Sequence, residues 1–226
     1  MGFLWAAIEP LIYFTVLYIV FSGIWEDRSD FGIYLISGIV VFHIFTRGTS
    51  GGLVSLSSNK GLLKSLNLKR EFFPVVSTCA IALLGLVDMS IFFIMMPIFN
   101  FVPDWTIIFL PVVIFLVLVL VLGLSYLLSV INIFFKDIQN IWSLFAHSLL
   151  FISPIFWKVE NVEGILLQIQ RINPIGQLIE ISHKLVIEKE IPPINDWLYT
   201  TLFVFSIFFF GYFVFNRLQA KIVEEL

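Results

Sequence analysis

Charge is what this sequence has least of. Only 13% of its 226 residues are charged, against 59% hydrophobic, and 26 of them are Phe. A soluble domain of this length needs a charged shell, and these residues are too few to make one. Cysteine is almost absent as well. The single Cys79 rules out a disulfide framework and a thiolate metal site. Several motifs are missing in turn. There is no Gly-x-x-x-x-Gly-Lys-Ser/Thr loop, so the chain does not hydrolyse nucleotide by that route. There is no His-Glu-x-x-His, Cys-x-x-Cys or Gly-x-Ser-x-Gly, and nothing resembles a site for bond-breaking chemistry or for a metal. No repeat of 20–50 residues is visible, and the two halves show no similarity of the kind many secondary transporters carry.

What the chain does have is long apolar runs, and its mean hydropathy is +1.01. About 20 apolar residues match the ~30 Å hydrocarbon core of a bilayer. Lipid cannot satisfy a bare peptide group, so such runs are helices unless they close into a barrel. Barrel strands alternate apolar and polar residues, and these runs do not. The expected fold class is therefore all-α, a polytopic membrane protein with one transmembrane domain over residues 1–226 and no soluble domain. Six spans are expected, at residues 3–25, 32–54, 73–99, 106–130, 141–157 and 197–215.

Lys and Arg of short loops are retained on the cytoplasmic side. Residues 57–72 hold Lys60, Lys64, Lys69 and Arg70, the segment after the fourth span holds Lys136, and the tail holds Arg217 and Lys221. The opposite loops, 26–31 and 100–105, are mainly acidic. Both termini are thus expected to be cytoplasmic. The long segment 158–196 carries four basic and six acidic residues and falls outside, where the charge rule is weaker.

Three stretches are not plain spans. In 47–70, a run of Gly and Ser precedes a short basic amphipathic segment, with Leu62, Leu63 and Leu66 on one side and Lys60 and Lys64 on another. That is the pattern of a short helix at the inner interface. Residues 132–139 form a polar break with Lys136 beside Asp137. In the outer segment, Val162, Ile165, Leu166, Ile169 and Ile172 repeat at helical spacing, and Asn173-Pro174 supplies a second helix start. Neither of these outer helices is apolar enough to span, so both are expected in the outer leaflet.

Ionisable residues inside a span are expensive and are functional candidates by default. They are Glu9, His43, Arg47, Asp88 and His147. His43 and Arg47 are four apart and share a helix face. Asp88 falls near the middle of its span, where it needs a partner or water. The bland reading of Glu9 and Arg47 is anchoring at the inner interface by snorkelling. Aromatics at helical spacing are Trp5 and Tyr13 on the first span, with Trp142, Phe145 and Phe156 on the fifth. They fit either lipid-facing bulk or a stacking surface for sugar rings. Ser153-Pro154 permits a kink or hinge in the fifth span.

Four segments, GFLWAAIEPLIYFTVLYIVFSGI, NKGLLKSLNLKREFFPVV, NIFFKDIQNIWSLFAHSLLFISPIFW and INPIGQLIEISHKLV, stand in the same order as in ABC transporter permeases that export polysaccharide. The resemblance covers essentially the whole chain and is most specific from FFKDI to SPIFW. It implies a half-transporter with six spans that pairs as a homodimer and is driven by two copies of a separate ATPase subunit. No cofactor belongs to this chain, since ATP and Mg would be bound by that partner. It also implies that residues 57–72 are the main coupling element, assisted by Lys136 and Asp137, and that the conduit runs between two copies, lined by spans one and five. Family members carry a further amphipathic helix before the segment that begins here at Gly2, and this sequence does not include it.

The expected function is the membrane subunit of an ATP-driven exporter of lipid-linked, O-antigen-like polysaccharide in the bacterial cytoplasmic (inner) membrane. Trp5, Tyr13, Trp142, Phe145 and Phe156 would offer ring faces to sugars. Glu9, His43 and Arg47 would meet hydroxyls or the pyrophosphate of a lipid carrier. Lys60, Lys64, Lys69, Arg70, Lys136 and Asp137 would couple to the ATPase. An ABC permease for a drug or lipid, a proton-coupled transporter relaying through Glu9, Asp88, His43 and His147, and a membrane scaffold remain alternatives.

Overall fold

Apolar sequence that must satisfy its own peptide groups has one solution, and the computed structural model adopts it. It describes residues 2–23, 28–65 and 69–219, and all regular structure among them is helical. The helices are α1 (Gly2–Phe21), α2 (Arg28–Val54), α3 (Lys60–Ser65), α4 (Phe72–Ile98), α5 (Leu110–Phe134), α6 (Ile138–Ile152), α7 (Ile165–Arg171), α8 (Pro174–His183) and α9 (Ile194–Leu218). Four stretches are long and apolar enough to cross a bilayer: Asp30–Val54, Phe72–Ile98, Trp105–Phe134 and Ile194–Leu218. The other two apolar helical stretches, Ile8–Phe21 and Ile138–Ile152, are shorter.

Helix α2 is the axis of the molecule. Its residues 31–45 are all buried, packed against α1, α4, α5, α6 and α8. Helix α5 joins α2 to α9, and small residues set that contact. A Cβ at Gly211 would fall 2.0 Å from the Gly123 carbonyl oxygen, so the α5 and α9 backbones touch there. Lipid supplies no hydrophobic force between helices, so close backbone approach of this kind carries the packing.

The fifth apolar run differs from expectation. Helix α6 ends at Ile152 and Ser153 is extended (φ −81°, ψ 147°), so Ser153-Pro154 stops the helix rather than kinking it. The polar break is also narrower. Asn132 lies inside α5 and is buried, leaving residues 135–137 as the turn into α6. Asn173 does precede α8, with Pro174 in the first turn, but its side chain does not cap the helix. It donates instead from Nδ2 to Ser153 Oγ at 3.0 Å, tying α8 to the end of α6. The apolar face of α8 is covered by the protein: Ile175, Leu178 and Ile179 are fully buried against the core that includes α2 and α5.

Candidate functional site

Helix α2 carries a polar stripe at i, i+3, i+4 and i+7, namely His43, Thr46, Arg47 and Ser50, in otherwise apolar sequence. On α6 the same spacing aligns Ser143, Ala146, His147 and Leu150. Helix α1 brings Glu9, Tyr13 and Leu17. Together with Ile39 and Phe42 of α2, these side chains line a cleft of about 360 Å³ between α1, α2 and α6.

Behind the cleft wall stands Asp88 of α4, almost fully buried. Arg47 Nη2 donates to Glu9 Oε2 at 3.0 Å and lies 3.2 Å from His43 Nε2, which is itself 3.5 Å from the same Glu9 oxygen. On the other side of the ring, His43 Nδ1 donates to Asp88 Oδ2 at 3.3 Å. Arg47 Nη1 lies 3.8 Å from the same carboxylate oxygen. One network thus joins α1, α2 and α4, with two carboxylates facing one guanidinium and an imidazole between them. Asp88 Oδ1 is buried and has no hydrogen-bond partner among the described residues.

Glu9, Tyr13, His43 and Arg47, expected to line a channel, all meet in this cleft. The aromatics of the later span do not. Trp142 is buried, with Nε1 donating to Thr49 Oγ1 at 3.1 Å, and its ring packs beside Phe45 and Phe145. Phe145 is exposed on α6, outside the cleft lining. Phe156 lies beyond α6 and stacks on Phe21 at 4.3 Å. Trp5 lies on α1, but its side chain falls outside the described residues. Thr46, Ser50 and Ser143 went unnoticed in the sequence, although their spacing from His43, Arg47 and His147 is a readable signal.

The expected coupling residues collect at one end of the bundle, where α2, α5 and α9 finish and α4 and α6 begin. Lys60 opens α3, Lys69 is exposed, and Lys136 and Asp137 are exposed in the turn into α6; the Lys64 side chain falls outside the described residues. Arg70 Nη1 donates to the Gln219 carbonyl, tying this end to α9. Asn132 was not among the expected residues, yet it connects the elements that were. Its Nδ2 donates to Leu53 O at 3.1 Å and Ser57 Oγ at 3.0 Å, and its Oδ1 accepts from Gln139 Nε2 at 3.0 Å.

Residues 1–186 match the family model for the ABC-2 type transporter. Among curated proteins, the chain is similar to an O-antigen export system permease protein RfbA of Klebsiella pneumoniae, 22% identical with 100% of this chain and 87% of that protein covered. A Myxococcus xanthus protein of the same name is 23% identical over 72% of this chain and 63% of its own length. The polysialic acid transport protein KpsM of Escherichia coli is 24% identical over 93% of this chain and 83% of its length. With a family match across residues 1–186, the chain is a transport subunit rather than a catalyst, and it belongs to the ABC-2 type transporter family.

Proposed function

We propose that this chain is the membrane subunit of an ATP-driven exporter that moves lipid-linked polysaccharide across a bacterial cytoplasmic membrane. The observation that carries the reading is the similarity along essentially the full chain to an O-antigen export permease, together with a polysialic acid transporter at similar identity. In this reading the shorter apolar helices α1 and α6 complete six crossings, α7 and α8 belong to the outer half of the bilayer, and both termini are cytoplasmic. Two copies pair with two ATPase subunits, which bind ATP and Mg.

The geometry fits such a subunit. The α1, α2 and α6 cleft is amphipathic and opens beside the exposed faces of α1 and α6, where Ile12, Tyr13, Val16, Leu144 and Phe145 await cover. Tyr13 and Phe145 offer ring faces to sugars, since stacking tolerates varied sequence. Trp142 acts from inside, holding α6 against α2. At the other end, Lys60, Lys64, Lys69, Arg70, Lys136 and Asp137 meet the ATPase, and Asn132 links the two contacting elements.

The test is deletion of the gene in its native host with the ATPase gene intact. Surface polymer should disappear and lipid-linked polymer should accumulate inside, and both effects should be reversed by the full chain. Unchanged surface polymer would refute the reading. Transport by the chain without any ATPase, under a proton gradient alone, would favour the Glu9–Arg47–His43–Asp88 network as a proton relay instead.

A further inference from the structure

The cleft contains an arginine, and the obvious ligand for an arginine in an exporter of lipid-linked polymer is the carrier phosphate. The surroundings of Arg47 argue otherwise. Its guanidinium is engaged by Glu9 at 3.0 Å and stands 3.8 Å from Asp88, so it is committed within the network. Two carboxylates face this one guanidinium, and one of them, Glu9, lines the cleft itself. A phosphate or diphosphate entering beside Glu9 would meet like charge in a partly enclosed wall, where screening is weak. Phosphate sites are built the opposite way, with uncommitted Arg or Lys forks or exposed backbone N–H groups.

For hydroxyl groups the same wall is well furnished. Glu9 is a half-exposed acceptor. His147 Nδ1 donates to the Ser143 carbonyl at 2.6 Å, so in the neutral ring Nε2 is left as an acceptor. Tyr13 and Ser50 add hydroxyls, and Leu17, Phe42 and Leu150 supply apolar surface for the C–H face of a ring. The volume of about 360 Å³ lies within the range of small-molecule sites.

We infer that this cleft accepts an uncharged, hydroxyl-bearing sugar ring and turns away phosphate groups. The inference rests on the exporter reading only for why a saccharide should reach the cleft. The network then acts as a selectivity element, presenting acceptors and a local negative potential to whatever enters.

The test uses the full chain in nanodiscs, with Cys79→Ala to remove the native thiol and Ser143→Cys placed on the cleft wall. Labelling rates are measured with cationic and anionic methanethiosulfonates of similar size, each normalised to its rate with free glutathione. The cationic reagent should be favoured by roughly threefold or more, as one unit charge within about 10 Å dictates at intermediate dielectric. Glu9→Gln, which removes the carboxylate that lines the cleft, should move that preference toward one. Maltotriose should slow labelling by a neutral maleimide, and inorganic pyrophosphate at the same concentration should not. Ser50→Cys on the facing helix repeats the measurement if Ser143→Cys fails to fold.

An anionic reagent reacting as fast as the cationic one would overturn the inference, as would protection by pyrophosphate or by neither probe. The exporter reading fails separately. If cells still need the chain for surface polymer while pyrophosphate protects the cleft, only the ligand class is wrong. If maltotriose protects but the chain is dispensable for surface polymer, the cleft stands and the exporter reading falls.

Discussion

Replacing Asp88 by alanine should cost far more than neutralising Glu9, although both carboxylates face the same guanidinium. The Asp88 side chain is 1% exposed, and that of Glu9 is 37% exposed. In Asp88→Ala the His43 Nδ1–H loses its acceptor inside the protein, which costs about 1–3 kcal/mol. The guanidinium also loses its second counter-charge, and breaking a buried pair on one side costs ~3–5 kcal/mol in water-soluble proteins. Two facts lower that figure. Arg47 keeps Glu9, and polar contacts between membrane helices average only ~0.6 kcal/mol, because the unfolded chain in lipid also finds partners. A net loss of about 2–3 kcal/mol follows for Asp88→Ala. For Glu9→Gln, solvent screening and a retained side-chain oxygen hold the loss to about 1 kcal/mol or less.

The assay is reversible unfolding of the full chain in mixed micelles by titration with a denaturing detergent, followed by helix circular dichroism. Asp88→Asn should fall between the two, since it keeps the shape and an acceptor but loses the charge. A cycle of His43→Ala with Asp88→Ala should return a coupling of about 1 kcal/mol, as contacting residues do. Equal losses for Glu9→Gln and Asp88→Ala would refute the argument from burial, and Asp88→Ala within ~0.5 kcal/mol of wild type would show that the network contributes no net stability.

Gly211→Leu should disrupt the α5–α9 contact and lose about 1–3 kcal/mol or fail to fold, whereas Gly61→Ala on α3, with open space around it, should be neutral or gain up to ~1 kcal/mol in the same titration. Asn132→Leu should leave ATP hydrolysis by the assembled complex largely intact while lowering polymer moved per ATP, because it removes all three links between the α2 end and the α6 start; equal loss of both activities would mark Asn132 as structural only. Lys69→Glu should weaken ATPase co-purification without changing stability, since Lys69 is exposed, but Arg70→Glu should do both because it also cuts the tie to Gln219. A short crosslink between cysteines at Gly51 and Ser77, which face each other between α2 and α4, should spare transport; one between Phe21 and Phe156, joining the end of α1 to the segment after α6, should stop it.

The helices were legible because apolar sequence in lipid admits so few solutions. The observed α2, α4 and α9 begin and end within about four residues of the runs read from hydropathy. The faces of those helices were much harder to read. Trp142 and Tyr13 carry equal weight in a periodicity argument, yet one is enclosed against Thr49 and the other opens into the cleft. When neighbours on every side are apolar, aromatic spacing does not separate lipid, protein and cleft. Polar spacing does, because each polar atom must find a partner. His43 and Arg47 were readable for that reason, and Asp88 announced a partner without naming it. Asn173 misled in the opposite way: it stands at the start of α8 as its residue type predicts, but the nearby Ser153 hydroxyl takes its amide.

The same physics assigns different roles to the helices. In a bundle immersed in lipid, apolar contacts between helices compete with nearly equivalent contacts to acyl chains, so packing alone weakly fixes how each helix is rotated. Buried polar ties fix it, and here most of them converge on α2. Arg47 and His43 hold α1 and α4, Thr49 receives Trp142 of α6, the Leu53 carbonyl receives Asn132 of α5, and Tyr34 donates to the Trp157 carbonyl at 2.7 Å while its own carbonyl meets His183. Helix α2 is therefore the fixed element against which the others are set. Helices α1 and α6 each expose one face and meet α2 across the cleft. A force delivered at the Asn132 end reaches the start of α6 through Gln139 and would shift it against α2. That motion would widen a cleft in which polar groups and apolar surface already face each other.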